Sequence, residues 1–166
     1  MNEVGLLLAS VFRAGTVLAL AGLGLLINEK AGVINLGAEG MMLCAALAGY
    51  AVCVHTGSPW LGFAAGMGAG AVLAGALGVL VIWLNTNQSA TGLALSLLGA
   101  GLSAFVGVPY AQQALTVRNQ FAIPVLSELP LVGKALFAQH PLVYASVALA
   151  LFLAWFCYRS RGGLVL

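Results

Sequence analysis

Five long apolar runs, at residues 4–27, 33–54, 59–84, 89–108 and 142–158, constrain this 166-residue chain more than any other feature. Each is close to or above the roughly 20 residues that cross about 30 Å of hydrocarbon at about 1.5 Å per helical residue. They are apolar nearly all round, whereas the helices of a soluble protein carry a charged outer face. Composition agrees: 62% of residues are hydrophobic and 6% are charged, against roughly 25% charged in an ordinary soluble domain. The reading is an all-α, polytopic transmembrane helical bundle of about five spanning helices, forming one domain over residues 1–166.

Several function classes fall away. The net charge is +2 with no basic cluster, so the electrostatic footprint of a nucleic-acid binder is missing. Cys44 and Cys53 would stand about 13 Å apart on one helix, too far for a disulfide. The two histidines, His55 and His140, sit singly at span ends and read as interfacial residues rather than metal ligands. Met1, Asn2 and Glu3 do not make the basic start of a secretory signal, so the first run is expected to remain in the mature protein as a span.

Basic residues suggest an orientation. If Arg159 and Arg161 are cytoplasmic, five spans put the N-terminus outside and the turn carrying Lys30 inside. Arg118 and Lys134 then fall outside, in the long connection 109–141, which is expected to be extracytoplasmic. Its apolar stretch is broken by Pro124 and Pro130 and holds Glu128 and Lys134, so it cannot span as a regular helix. Tyr110 and Tyr144 stand where interfacial anchors would.

Small residues mark where helices approach closely. Gly62, Gly66, Gly70, Ala74 and Gly78 recur at every fourth position and define one face of the third span. The fourth span repeats the pattern with Gly99, Ser103 and Gly107 on one line and Gly92, Ser96, Ala100 and Ala104 on another.

Polar residues inside the runs are more telling about function. Asn35 and Glu39 lie four apart on one helical face, in a glycine-rich approach at residues 32–40 that suggests a broken or re-entrant helix. Such backbone is tolerated only where it lines protein or a cavity. A carboxylate at membrane depth pairs, protonates or faces water, and marks a functional site by default; alternatively Glu39 ties down a helix end through backbone donors. A second cluster, Asn85, Thr86, Asn87, Gln88, Ser89 and Thr91, is either a polar turn or the start of a discontinuous helix. Arg13, inside the first run, must snorkel or pair, with Glu39 as one candidate partner.

Taken together, LAGLGLLINEKAGVINLGAEGMMLCAALAGY, NQSATGLALSLLGAGLSAFVG, IPVLSELPLVGKALF and PLVYASVALALFLAWFCYRSRGGLVL resemble bacterial ABC importer permeases of the branched-chain amino acid and simple-sugar group, above all those for nucleosides or simple sugars. The resemblance covers nearly the whole chain. It implies a multi-pass subunit of the bacterial cytoplasmic membrane that moves a small polar solute. Its implied partners are cytoplasmic ABC ATPase subunits, a second permease subunit, an external substrate-binding lipoprotein and the bilayer, with no nucleic acid. It also places Asn35, Glu39, Asn87, Gln88 and Thr91 near the central pathway. No catalytic residue, metal site or cofactor is expected in this chain, which lacks a G-x-x-x-x-G-K-[ST] phosphate loop. Family members are roughly double this length and continue past Leu166 into a helix that couples to the ATPase, so the sequence reads as an N-terminal part. A self-assembling channel or a truncated, nonfunctional membrane fragment are the alternatives. A channel should show a polar face along a full span, whereas polar residues here gather at span starts.

Overall fold

The computed structural model describes residues 3–113, 141–160 and 163. The described residues are helical and contain no strand: α1 (Glu3–Lys30), α2 (Ala38–Thr56), α3 (Pro59–Gly78), α4 (Gln88–Gly107) and α5 (Pro141–Arg159). Four of these helices are long and apolar enough to cross a membrane, and the apolar helix Val143–Arg159 within α5 is shorter. The architecture is that of an all-α, polytopic membrane protein. Arg118, Glu128 and Lys134, with most of the 109–141 connection, lie outside the described residues.

Helix boundaries follow local chemistry. At the end of α2, Gly57 takes a left-handed conformation (φ 67°) and its N–H bonds the Cys53 carbonyl at 2.9 Å, a terminus that a residue with a β-carbon adopts only at a cost. Pro59 then occupies the first turn of α3, where its missing N–H has no intrahelical acceptor to lose. The end of α3 widens into a π-helical turn, Val79–Trp83, and Asn85 turns the chain at φ 51°. Asn87 caps α4 by accepting the N–H groups of Ser89 and Ala90 at 3.1 and 3.2 Å. The polar cluster at 85–91 is therefore a turn followed by a capped helix start.

The chain forms two compact units, one holding α1 and α5, the other α2, α3 and α4. In the first, α1 packs on α5, and Lys30 Nζ lies 5.4 Å from the centre of the Tyr158 ring. Thr16 and Ser146 are buried there, and each hydroxyl bonds a carbonyl of its own helix at 2.7 Å, satisfying it without a partner helix.

In the second unit, α2 runs antiparallel to α3 and parallel to α4. Residues Ala45, Gly49 and Cys53 meet Gly66 and Gly62 in reverse order, whereas Gly37, Gly40 and Cys44 meet Gly92, Ser96 and Gly99 in the same order. Both seams bring backbone against backbone: a β-carbon on Gly62 would lie 2.7 Å from the Gly49 carbonyl oxygen, and one on Gly40 would lie 2.6 Å from that of Leu95. Gly70 makes ordinary contact with Ala45, Ala74 is exposed, and Gly78 faces open space. The α3 stripe thus meets α2 through its first half. Between the three helices, Met41, Leu77 and Val81 form a small apolar core, flanked by Val33, Leu73 and Leu95. Each unit has an apolar surface, with Leu18 71% exposed in the first and Val72 72% and Phe105 83% exposed in the second, as expected where lipid rather than water is the solvent.

Candidate functional site

The parallel arrangement of α2 and α4 sets their starts side by side. α1 ends at Lys30 and α2 begins only at Ala38; residues 33–35 between them have no regular structure. The second apolar run is accordingly broken near its start, because this segment finds its hydrogen bonds on side chains. The Ile34 N–H donates to Gln88 Oε1 at 2.8 Å, and the Gly37 N–H to Asn35 Oδ1 at 3.0 Å. Asn35 Nδ2 points toward Met41 Sδ at 3.8 Å, on the apolar core beneath.

Close approach is possible because Gly37 faces Gly92. A β-carbon on Gly92 would stand 3.0 Å from the Leu36 nitrogen, and one on Gly37 would stand 3.1 Å from the Gly92 carbonyl oxygen. Thr91 completes the junction: its hydroxyl is 2.8 Å from the Asn87 carbonyl oxygen and 2.9 Å from Thr86 Oγ1. Thr86 in turn donates to the Leu80 carbonyl at 2.8 Å, which ties the π-helical end of α3 to the same place.

Asn35, Asn87, Gln88 and Thr91 are therefore gathered at one junction, and each spends a side-chain oxygen on local structure. Glu39 differs. It lies in the first turn of α2, is exposed, and has no hydrogen-bond or ion-pair partner among the described residues. The helix end is held by Asn35 rather than by Glu39; the side chain of Arg13 lies outside those described. A carboxylate in the first turn is favoured by the positive end of the helix dipole. The amide nitrogens of Asn87 and Gln88 have no partner among the described residues either. Donors and an acceptor are thus available to a ligand at this end of the unit, on a backbone fixed by the same residues. Among the described residues no group of His, Cys, Asp and Glu could hold a metal ion.

The sequence reading missed a second polar cluster at the far ends of the same two helices. His55 Nε2 lies 3.1 Å from the Tyr110 hydroxyl, with the rings perpendicular and 5.8 Å apart. The Tyr50 hydroxyl donates to the Gln113 carbonyl. In the sequence His55 and Tyr110 read as separate interfacial residues; only the parallel packing of α2 and α4 brings them together.

Residues 7–166 match the family described as the branched-chain amino acid transport system, permease component. The chain belongs to this family. A Haloferax volcanii protein, provisionally assigned as a glucose ABC transporter permease, is 47% identical over 165 residues, which cover 96% of this chain and 50% of that protein. A nucleoside ABC transporter permease of Lactococcus lactis is 27% identical over 99% of this chain and 55% of its own length. A guanosine ABC transporter permease of Bacillus subtilis is 30% identical over 84% of this chain and 47% of its own. The chain spans about half the length of these relatives, which are transport subunits by name. No solved structure matches it.

Proposed function

We propose that the chain is part of the permease of an ATP-binding-cassette importer that carries a small polar solute, a sugar or a nucleoside, across the cytoplasmic membrane. The names of the relatives support the solute class. The observation that carries the reading is Glu39, a carboxylate at the head of α2 with no partner among the described residues, beside a non-helical segment held by Asn35 and Gln88. An exposed acceptor at a helix break suits recognition of solute hydroxyl or amino groups, as in transporters whose sites are built from interrupted helices. ATP would be hydrolysed by separate cytoplasmic subunits. A second permease subunit and an external substrate-binding lipoprotein would complete the assembly, with no cofactor held in this chain.

The test is co-purification of the chain with candidate ATPase and permease subunits, followed by ATP-driven uptake of glucose and of purine nucleosides such as guanosine into liposomes supplied with the binding protein. Glu39→Ala is expected to lower uptake about ten-fold, the order of one lost hydrogen bond to a charged group, without reducing membrane insertion. Unchanged uptake in the variant would remove Glu39 from the pathway. Absence of uptake by the unaltered assembly would overturn the importer reading.

A further inference from the structure

Toward their other ends α2 and α4 border a shallow, open groove of about 350 Å³, lined among others by Leu43, Ala46, Leu47, Tyr50, Ser103 and Tyr110. This lies at the lower end of the roughly 300–1,000 Å³ typical of small-molecule sites, room for a solute of one or two rings. Its aromatic walls are fixed from outside: Tyr50 by its bond to the Gln113 carbonyl, Tyr110 by His55 at 3.1 Å. Gln113 is itself tied back, its Nε2 donating to the Pro109 carbonyl at 3.2 Å.

Ser103 is the exceptional group in this lining. Helical hydroxyls elsewhere bond a carbonyl of their own helix, as Thr16 does at 2.7 Å, Thr56 at 2.6 Å and Ser146 at 2.7 Å. Beyond the first turn of α4 two serines make no such bond among the described residues, Ser96 and Ser103. Ser96 backs onto Gly40 in the helix seam, whereas Ser103 faces the groove. The carbonyl four residues before Ser103, that of Gly99, is approached instead by the Cys44 thiol at 3.6 Å. The Ser103 hydroxyl is not sealed within the helix packing, so it is open to a ligand hydroxyl in the groove.

We infer that this groove is a second solute subsite, which takes the hydroxylated ring common to sugars and nucleosides. Ser103 hydrogen-bonds a ring hydroxyl, while Tyr50, Tyr110 and Leu47 cover the less polar face of the ring. The inference rests on the importer reading above and adds to it a site at the opposite end of the helix pair from Glu39.

In the reconstituted assembly, Ser103→Ala is expected to raise the half-saturating concentration for both glucose and a purine nucleoside about three- to ten-fold, the range of one neutral hydrogen bond. Ser103→Thr, which keeps the hydroxyl, should recover most of the loss, and detergent stability should be unchanged in both variants. A second measurement uses Ser103→Cys in a chain whose Cys44, Cys53 and Cys157 are replaced by Ala: glucose, or a nucleoside at saturation, should slow labelling of the new thiol by N-ethylmaleimide. Protection by free purine base but not by ribose or glucose would assign the groove to the base and overturn the proposal. So would normal uptake by Ser103→Ala alongside a working unaltered assembly, which would leave the importer reading standing. If the unaltered assembly carries neither solute, both readings fall.

Discussion

At the residue scale, the junction divides labour between amides that hold the backbone and a carboxylate that holds nothing in the described structure. Asn87 accepts two N–H groups at the start of α4 and Gln88 one from Ile34. Asn87→Ala should therefore destabilise the protein by about 1 kcal/mol, the usual cost of a lost cap, while Asn87→Ser retains most of it. Glu39→Ala should leave stability nearly unchanged, since no described partner is lost. Equilibrium unfolding in mixed detergent micelles would check both, and a larger loss for Glu39→Ala than for Asn87→Ala would refute the division. Glu39 was legible in the sequence because a carboxylate in an apolar run is conspicuous on its own. The bond from Ile34 to Gln88 was not, since it joins residues 54 positions apart and depends on which helices become neighbours.

At the scale of elements, the glycine stripes told that helices pack closely, but not which residues meet. The α3 row at every fourth position does carry its contact with α2 through Gly62 and Gly66, the spacing of small residues familiar from close helix crossings in membranes. On α4 the contact follows neither straight line in the sequence. It passes through Gly92, Ser96 and Gly99, a step of four followed by one of three, as a near-parallel neighbour requires. A β-carbon on Gly99 would fall on the carbonyl and Cα of Gly40, whereas Gly101 has open space. Gly99→Ala should thus force α2 and α4 apart and cost about 1–3 kcal/mol, as overpacking does, while Gly101→Ala should be close to neutral. The same unfolding measurement reads the difference, and equal effects at the two positions would mean that the seam runs elsewhere.

At the scale of the whole molecule, hydrophobic run length made the described helices legible, because a bilayer demands long apolar helices whatever their order in space. The break before α2 was foreshadowed by Gly32 and Gly37, and a local turn in which Asn35 Oδ1 accepts the Gly37 N–H precedes the helix start. Helix direction yields a further test. Within the second unit α2 and α4 run parallel, with α3 antiparallel between them in sequence, so Ser89 lies at the end opposite both Thr56 and Gln112. The positive-inside preference makes the turn after Lys30, which leads by a short connection into α2, the expected cytoplasmic side, and the Ser89 end, beside the start of α2, is then expected inside. In a chain lacking its natural cysteines, Thr56→Cys and Gln112→Cys should react with an impermeant maleimide added to intact cells, and Ser89→Cys only after the membrane is opened. Labelling of Ser89→Cys alone from outside would reverse the orientation but keep the helix directions. Labelling of all three from one side would contradict the crossing of α3, and with it the pairing of α2 and α4 starts on which the candidate site depends.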